Sequence, residues 1–218
     1  LVATGAAGAV AGALNIPLAG VVFAIEVILG EYTLMLFAPV VVSSVIGSVV
    51  TDVGIGQETL LVMPDLPTPV HPYSMLPLDW VIGLGAALVS IGVIRGLEGI
   101  HYLTERLPIP DWALPGVGGL IVGAIAMDVP AVMGVSYGTR SDIYAGQLAV
   151  GSLFVLLGAK LVATVVSLGT HARGGAIGPS LFMGAVVGAL LAETAREILP
   201  WEVGPTSAYA VIGMGAGM

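Results

Sequence analysis

The chain has 218 residues, 57% hydrophobic and 9% charged, with a mean hydropathy of +1.04 and a net charge of -8. Soluble domains carry roughly 25% charged residues, so too little polar surface remains to solvate a globule of this size, and the composition predicts an integral membrane protein. The acidic balance without a basic cluster excludes nucleic-acid binding, and the absence of cysteine excludes disulfides, thiolate metal sites and a thiol nucleophile.

In chain order, residues 1–29 are nearly all apolar or small, with a break at Asn15-Ile16-Pro17. Proline favours the first turn of a helix and disfavours helical geometry in the residue before it. The break therefore predicts two short helices, about 2–15 and 17–28, each below the roughly 20 residues that span a bilayer. A third apolar segment covers 34–50. Residues 51–78 form a Pro-rich connector with Asp52, Glu58 and Asp65 and no Lys or Arg, which the positive-inside rule places on the outer side. A long helix is predicted from Asp79 to Leu107, with Arg95 and Arg106 toward its cytoplasmic end. Further helices are predicted at 111–128, 147–168, 179–199 and 207–218, with loops at 129–146, 169–178 and 200–206. The chain starts and stops within apolar runs, and the expectation is a segment of a longer membrane protein.

Short segments broken by Gly or Pro are the pattern of transporters and channels with discontinuous helices and inverted repeats. Gly5-Ala6-Ala7-Gly8-Ala9 resembles Gly213-Met214-Gly215-Ala216-Gly217, a weak internal repeat. The stretch Gly174-Gly175-Ala176-Ile177-Gly178-Pro179-Ser180 runs from a glycine-rich turn into an apolar helix. The first amides of a helix lack intrahelical partners and sit at the positive end of its dipole, which makes that end an anion site. Irregular backbone at membrane depth is tolerated only where it is buried in protein or lines a cavity. From the residues alone, this turn is either an anion cradle or an ordinary capped loop between two membrane helices.

Three blocks carry a family resemblance. Gly5-Ala6-Ala7-Gly8 through Asn15-Ile16-Pro17-Leu18-Ala19-Gly20-Val21-Val22-Phe23-Ala24-Ile25-Glu26, then Pro130-Ala131-Val132-Met133-Gly134-Val135-Ser136-Tyr137, then Gly174 through Ala185 resemble, in order and spacing, the CLC family of chloride channels and chloride/proton exchangers. The resemblance implies an all-α membrane bundle of tilted, broken helices with inverted-repeat architecture. Residues 1–50 would end the first half, 51–78 would form an extracytoplasmic connector, and 79–218 would hold most of the second half. It also implies a homodimer, with helices 17–28 and 34–50 at the interface, and chloride or a similar small anion as substrate. No cofactor and no metal are implied. The family's central serine and outer-gate glutamate segments would lie upstream, and its pore tyrosine downstream.

By the same resemblance, Gly174, Gly175, Ala176, Ile177 and Gly178 bind the anion through main-chain amides. Ile177 and Gly178 replace the family's usual phenylalanine and alanine, which keeps the main-chain donors and alters the pore's shape. Lys160, inside the apolar run Leu153 to Leu168, either supplies positive potential to the anion path or snorkels to the interface. Arg173 either adds to that potential or faces lipid headgroups. Glu26 is a structural glutamate with buried hydrogen bonds, with a proton carrier as the alternative. At the next position exchangers of the family typically carry a second acid, and this chain has Val27, which carries no proton and favours a channel.

Two further patterns point elsewhere. Gly134-Val135-Ser136-Tyr137-Gly138 matches a nucleophile-elbow spacing, and an intramembrane serine hydrolase using Ser136 is the remote alternative. That motif needs a strand before it and a helix after it, whereas a Pro-bounded loop is predicted here. His71, His101 and His171 lie far apart in sequence, without metal-ligand spacing.

Overall fold

The computed structural model describes residues 1–30, 34–54, 72–106, 108–134, 137–144, 146–172, 174–198 and 203–217. Among them there is no strand. The chain divides into two compact units, Leu1–Met63 and Pro64–Met218.

In the first unit, α1 (Val2–Leu14) ends where predicted. Asn15 takes the left-handed conformation there (φ 54°). Its side chain donates to the Asp52 Oδ1 at 2.8 Å and accepts from the Ser48 hydroxyl. Pro17 opens α2 (Pro17–Phe23) with its ring in the first turn. The helix then widens into a π-helical stretch, Ala24–Leu29. Gly30 closes it at φ 67°, its amide bonded to the Ile25 carbonyl at 2.9 Å. The third helix, α3 (Leu34–Gly54), lies along α1. Gly8 and Gly47 touch backbone to backbone, and the Ser43 hydroxyl donates to the Thr4 carbonyl at 2.7 Å. Ser44 donates to the Pro17 carbonyl. Small residues let membrane helices approach this closely, and hydroxyls then bond across the gap.

The second unit starts with the long helix α4 (Pro72–Thr104). It begins earlier than the predicted Asp79 and carries Pro77 inside it. Pro77 is the sixth residue of the helix, past the unpaired first amides, so it removes one i→i−4 bond in the second turn. At 1.5 Å per residue, its 33 residues make it roughly 50 Å long, more than the hydrocarbon core requires. Next come α5 (Leu114–Asp128), a 3₁₀ turn (Pro130–Val132), α6 (Tyr137–Tyr144), α7 (Val150–Gly169), α8 (Ile177–Ile198) and α9 (Thr206–Ala216). The predicted loop 129–146 is thus corrected: it holds a 3₁₀ turn and a short helix. Polar residues throughout Tyr137–Tyr144 hide any apolar period. The helix is held by tertiary contact, with Ile143 buried and the Tyr144 hydroxyl 3.1 Å from the Met214 sulfur.

The centre of this unit is α8, whose buried face meets α4, α6, α7 and α9. The α8–α9 crossing is a glycine seam in which Gly184 meets Gly213 and Gly188 meets the Tyr209–Ala210 backbone. Its far end is tied by the Arg196 guanidinium. That group donates to Glu193 Oε1, Thr206 Oγ1 and the Gly204 carbonyl, each at 2.7 Å.

Among the described residues, four helices are long and apolar enough to cross a membrane: Met35–Gly54, Leu76–Thr104, Val150–Gly169 and Ile177–Ile198. Shorter apolar helices accompany them at Val2–Leu14, Pro17–Leu29 and Leu114–Asp128. The fold class is that of an all-helical integral membrane protein with broken helices.

Candidate functional site

The turn into α8 follows from the end of α7. The amide of His171 bonds the Leu168 carbonyl at 3.2 Å, and that of Ala172 bonds the Ser167 carbonyl at 3.1 Å. His171 sits between them at φ 61°. These are the paired bonds of a Schellman stop, whose left-handed residue is usually glycine. Arg173 lies outside the described residues. Gly174 and Gly175 then run exposed to Ala176, whose carbonyl accepts the first helical bond of α8 from Ser180 at 2.9 Å. Ala176 is therefore the N-cap. Of the four amides a helix start leaves unpaired, Pro179 supplies none. Those of Ala176, Ile177 and Gly178 remain.

Ala176 and Ile177 line a partly enclosed cavity of about 330 Å³. Ala176, Ile177, Ser180 and Gly184 form one wall, Ser90 and Val93 of α4 another, and Thr164 of α7 and Gly217 complete it. Its three hydroxyls all donate to backbone carbonyls: Ser90 to Ala86 at 3.0 Å, Thr164 to Lys160 at 2.7 Å, and Ser180 to Ile177 at 2.9 Å. Their hydrogens are thereby engaged within the helices. An apolar cavity with one cluster of main-chain donors at a positive helix end suits a small anion stripped of water.

Of the sequence-predicted residues, Ala176 and Ile177 line the cavity, and Gly174, Gly175 and Gly178 flank them. Lys160 is 3% exposed, so it does not snorkel. Its ammonium donates to the carbonyls of Val132 (2.8 Å) and Gly134 (2.7 Å) and lies 5.1 Å from the Phe182 ring centre. It is one helical turn from the cavity-lining Thr164. Glu26 is exposed within its unit, and Val27 beside it is 63% exposed. Both lie in the π-helical stretch, a local widening that single-residue preferences do not announce. Ser136 lies outside the described residues. A 3₁₀ turn, not a strand, precedes it, although a helix does follow.

The cavity's α4 and α7 contributors, Ser90, Val93 and Thr164, carry no sequence signal of their own. Two of the histidines, far apart in sequence, meet in the fold. His101 and His171 bring their rings to 5.9 Å between centres, edge to face. His71 is outside the described residues.

An all-helical membrane protein with broken helices, one of which starts beside a cavity, is the class these features define. The chain belongs to the voltage-gated chloride channel family, whose sequence profile matches residues 1–218. It is 32% identical over 218 residues to a ClcB-like chloride channel protein of Ralstonia nicotianae, covering 99% of this chain and 50% of that protein. It is 34% identical over 203 residues to the voltage-gated ClC-type chloride channel ClcB of Salmonella typhimurium (87% and 45%). It is 29% identical over 229 residues to the H(+)/Cl(-) exchange transporter ClcA of Vibrio parahaemolyticus (99% and 47%). The chain spans about half the length of these curated relatives.

Proposed function

We propose that this chain contributes one wall of a chloride pathway through the bilayer. The amides of Ala176, Ile177 and Gly178 replace part of the ion's hydration shell. The observation that carries this reading is the cavity at the start of α8, lined by Ala176 and Ile177 themselves. Binding by main-chain dipoles is loose enough to let the ion leave, as conduction requires. Lys160, buried one turn from Thr164, adds positive potential to the cavity. Val27 favours uncoupled, channel-like conduction, because no acid stands at that position to pass a proton. The second reading, a chloride/proton exchanger on the same scaffold, is favoured by the likeness to the Vibrio protein named as an exchange transporter. The assembly proposed is a homodimer, joined through the exposed apolar side chains of α2 and α3, among them Leu18, Val22 and Ile46.

Ile177→Pro in the full-length protein tests the anion site. Proline is accepted at the first helical position, so the helix stays while one amide donor disappears. A hydrogen bond to a charged group contributes about 1.5–3 kcal/mol. Chloride affinity by calorimetry should therefore fall about tenfold or more, with the melting temperature nearly unchanged. Unchanged affinity would remove Ile177 from the site.

A further inference from the structure

Asp79 lies in the membrane-crossing stretch of α4, Leu76–Thr104. The side chain is half-buried, but its Oδ1 is wholly buried and has no hydrogen-bond partner. Nearly every buried polar atom in a protein finds a partner, so an orphan calls for an explanation. An ionised carboxylate in this state is penalised far more than a neutral carboxyl. We propose that Asp79 is a proton-binding site. Neutral, it packs α4 against α8 and α9; its ionisation loosens that contact and weakens chloride binding at the start of α8. The coupling to chloride rests on the pathway proposed above.

The elements packed against α4 are α7, α8 and α9, and none brings Asp79 a compensating charge. From α9 comes Tyr209, 2% exposed, in one apolar cluster with Ala192 and with Ile82, a turn on from Asp79. Its hydroxyl accepts from the Gly204 amide and lies within electrostatic reach of Asp79. A tyrosine is uncharged near neutral pH. On α8, the Arg196 guanidinium is already engaged by Glu193, Thr206 and Gly204. Glu193 and the exposed Glu197 add negative charge alone. The titratable side chain of α7, Lys160, is held by the Val132 and Gly134 carbonyls. Along α4 itself, Trp80 and Leu84 flank Asp79 and are 77% and 67% exposed. They form the apolar surface of a membrane-spanning helix, so lipid covers that side. A proton is the one cation small enough to neutralise an oxygen enclosed in this way.

The two elements that meet beside Asp79 also wall the cavity. α4 reaches it through Ser90 and Val93, and α9 is followed at once by Gly217. A change in how α4 sits on α9 therefore alters the cavity from two sides.

The test is a pH series on the full-length protein in detergent, with Asp79→Asn and Asp79→Leu beside the wild type. An unfolded chain releases an aspartic proton near about pH 3.9. A folded state that keeps the proton loses stability as pH rises through its own titration. The wild-type melting temperature should therefore fall between about pH 5 and about pH 8. Both uncharged variants should show a flatter profile. Infrared difference spectra of wild type against Asp79→Asn should show a protonated-carboxyl band that fades over the same range. Chloride affinity by calorimetry should weaken about five- to tenfold in the wild type and stay level in Asp79→Asn. A melting profile that the variants share with the wild type overturns the inference, as does a missing protonated-carboxyl band. A proton-linked melt with unmoved chloride affinity overturns the coupling. If chloride fails to bind at every pH, the chloride pathway fails, while the melting and infrared readouts still decide the proton site.

Discussion

Gly184 and Gly213 face each other across the α8–α9 crossing, where a Cβ on either would land on the other's carbonyl oxygen. Backbone-on-backbone packing of this kind lets α9 lie close enough for Gly217, one turn further, to close the cavity at the start of α8. Gly213→Ala should therefore separate the helices and cost about 1–3 kcal/mol, the range for overpacking. Gly123→Ala, at a site in α5 with open space around it, should change stability by less than about 1 kcal/mol. Thermal unfolding of the two variants in detergent checks the contrast, and equal melting temperatures would contradict the seam.

Lys160 fastens the segment after α5 to α7. Lys160→Met keeps the apolar stem but strands the Val132 and Gly134 carbonyls, which now accept from a charged donor. The expected loss is about 2–5 kcal/mol for a broken buried charged contact, read as a lower melting temperature. Lys160→Arg keeps the charge and should recover part of that loss. If Lys160→Met melts like the wild type, the bonds to these carbonyls do not support the fold.

Asn15 holds the α1–α2 junction to α3 through Ser48 and Asp52. Asn15→Ala removes both bonds and places a Cβ-bearing residue without a polar side chain in a left-handed conformation, at about 1–3 kcal/mol. Asn15→Gly relieves the backbone while losing the same bonds, so it should fall between alanine and wild type. A ranking with glycine below alanine would contradict the conformational part of this account.

Much of the framework was legible because single residues punctuate it. Asn15 and Pro17 mark the first break, and Gly174 through Pro179 mark the turn into α8. Both appear where the sequence places them. What stayed hidden depends on partners distant in the chain. The short helix Tyr137–Tyr144 is polar along its length and stands by the burial of Ile143 and the Tyr144–Met214 contact. The π-helical stretch at Ala24–Leu29 leaves no mark in its apolar residues. The glycines before Ile177 marked it as a candidate, and it lines the cavity. Ser90 and Thr164 were not marked, because a hydroxyl in an apolar helix looks the same whether it faces a cavity or a neighbouring helix. The His101–His171 contact joins residues that local spacing cannot relate.

In the proposed reading, Val27 is the position that bears on coupling. It is exposed within its unit, so Val27→Glu adds a carboxyl without displacing packed atoms. The variant should fold with a melting temperature close to the wild type's and keep its chloride flux. Loss of the folded protein would show that the position is buried in the full-length assembly.

The central claim is tested most directly by chloride efflux from liposomes holding the full-length protein, with internal pH recorded at the same time. The account predicts chloride flux without accompanying proton movement. Chloride flux with a fixed proton stoichiometry would contradict the channel-like reading and establish the exchanger, and no chloride flux under any gradient would contradict the pathway itself.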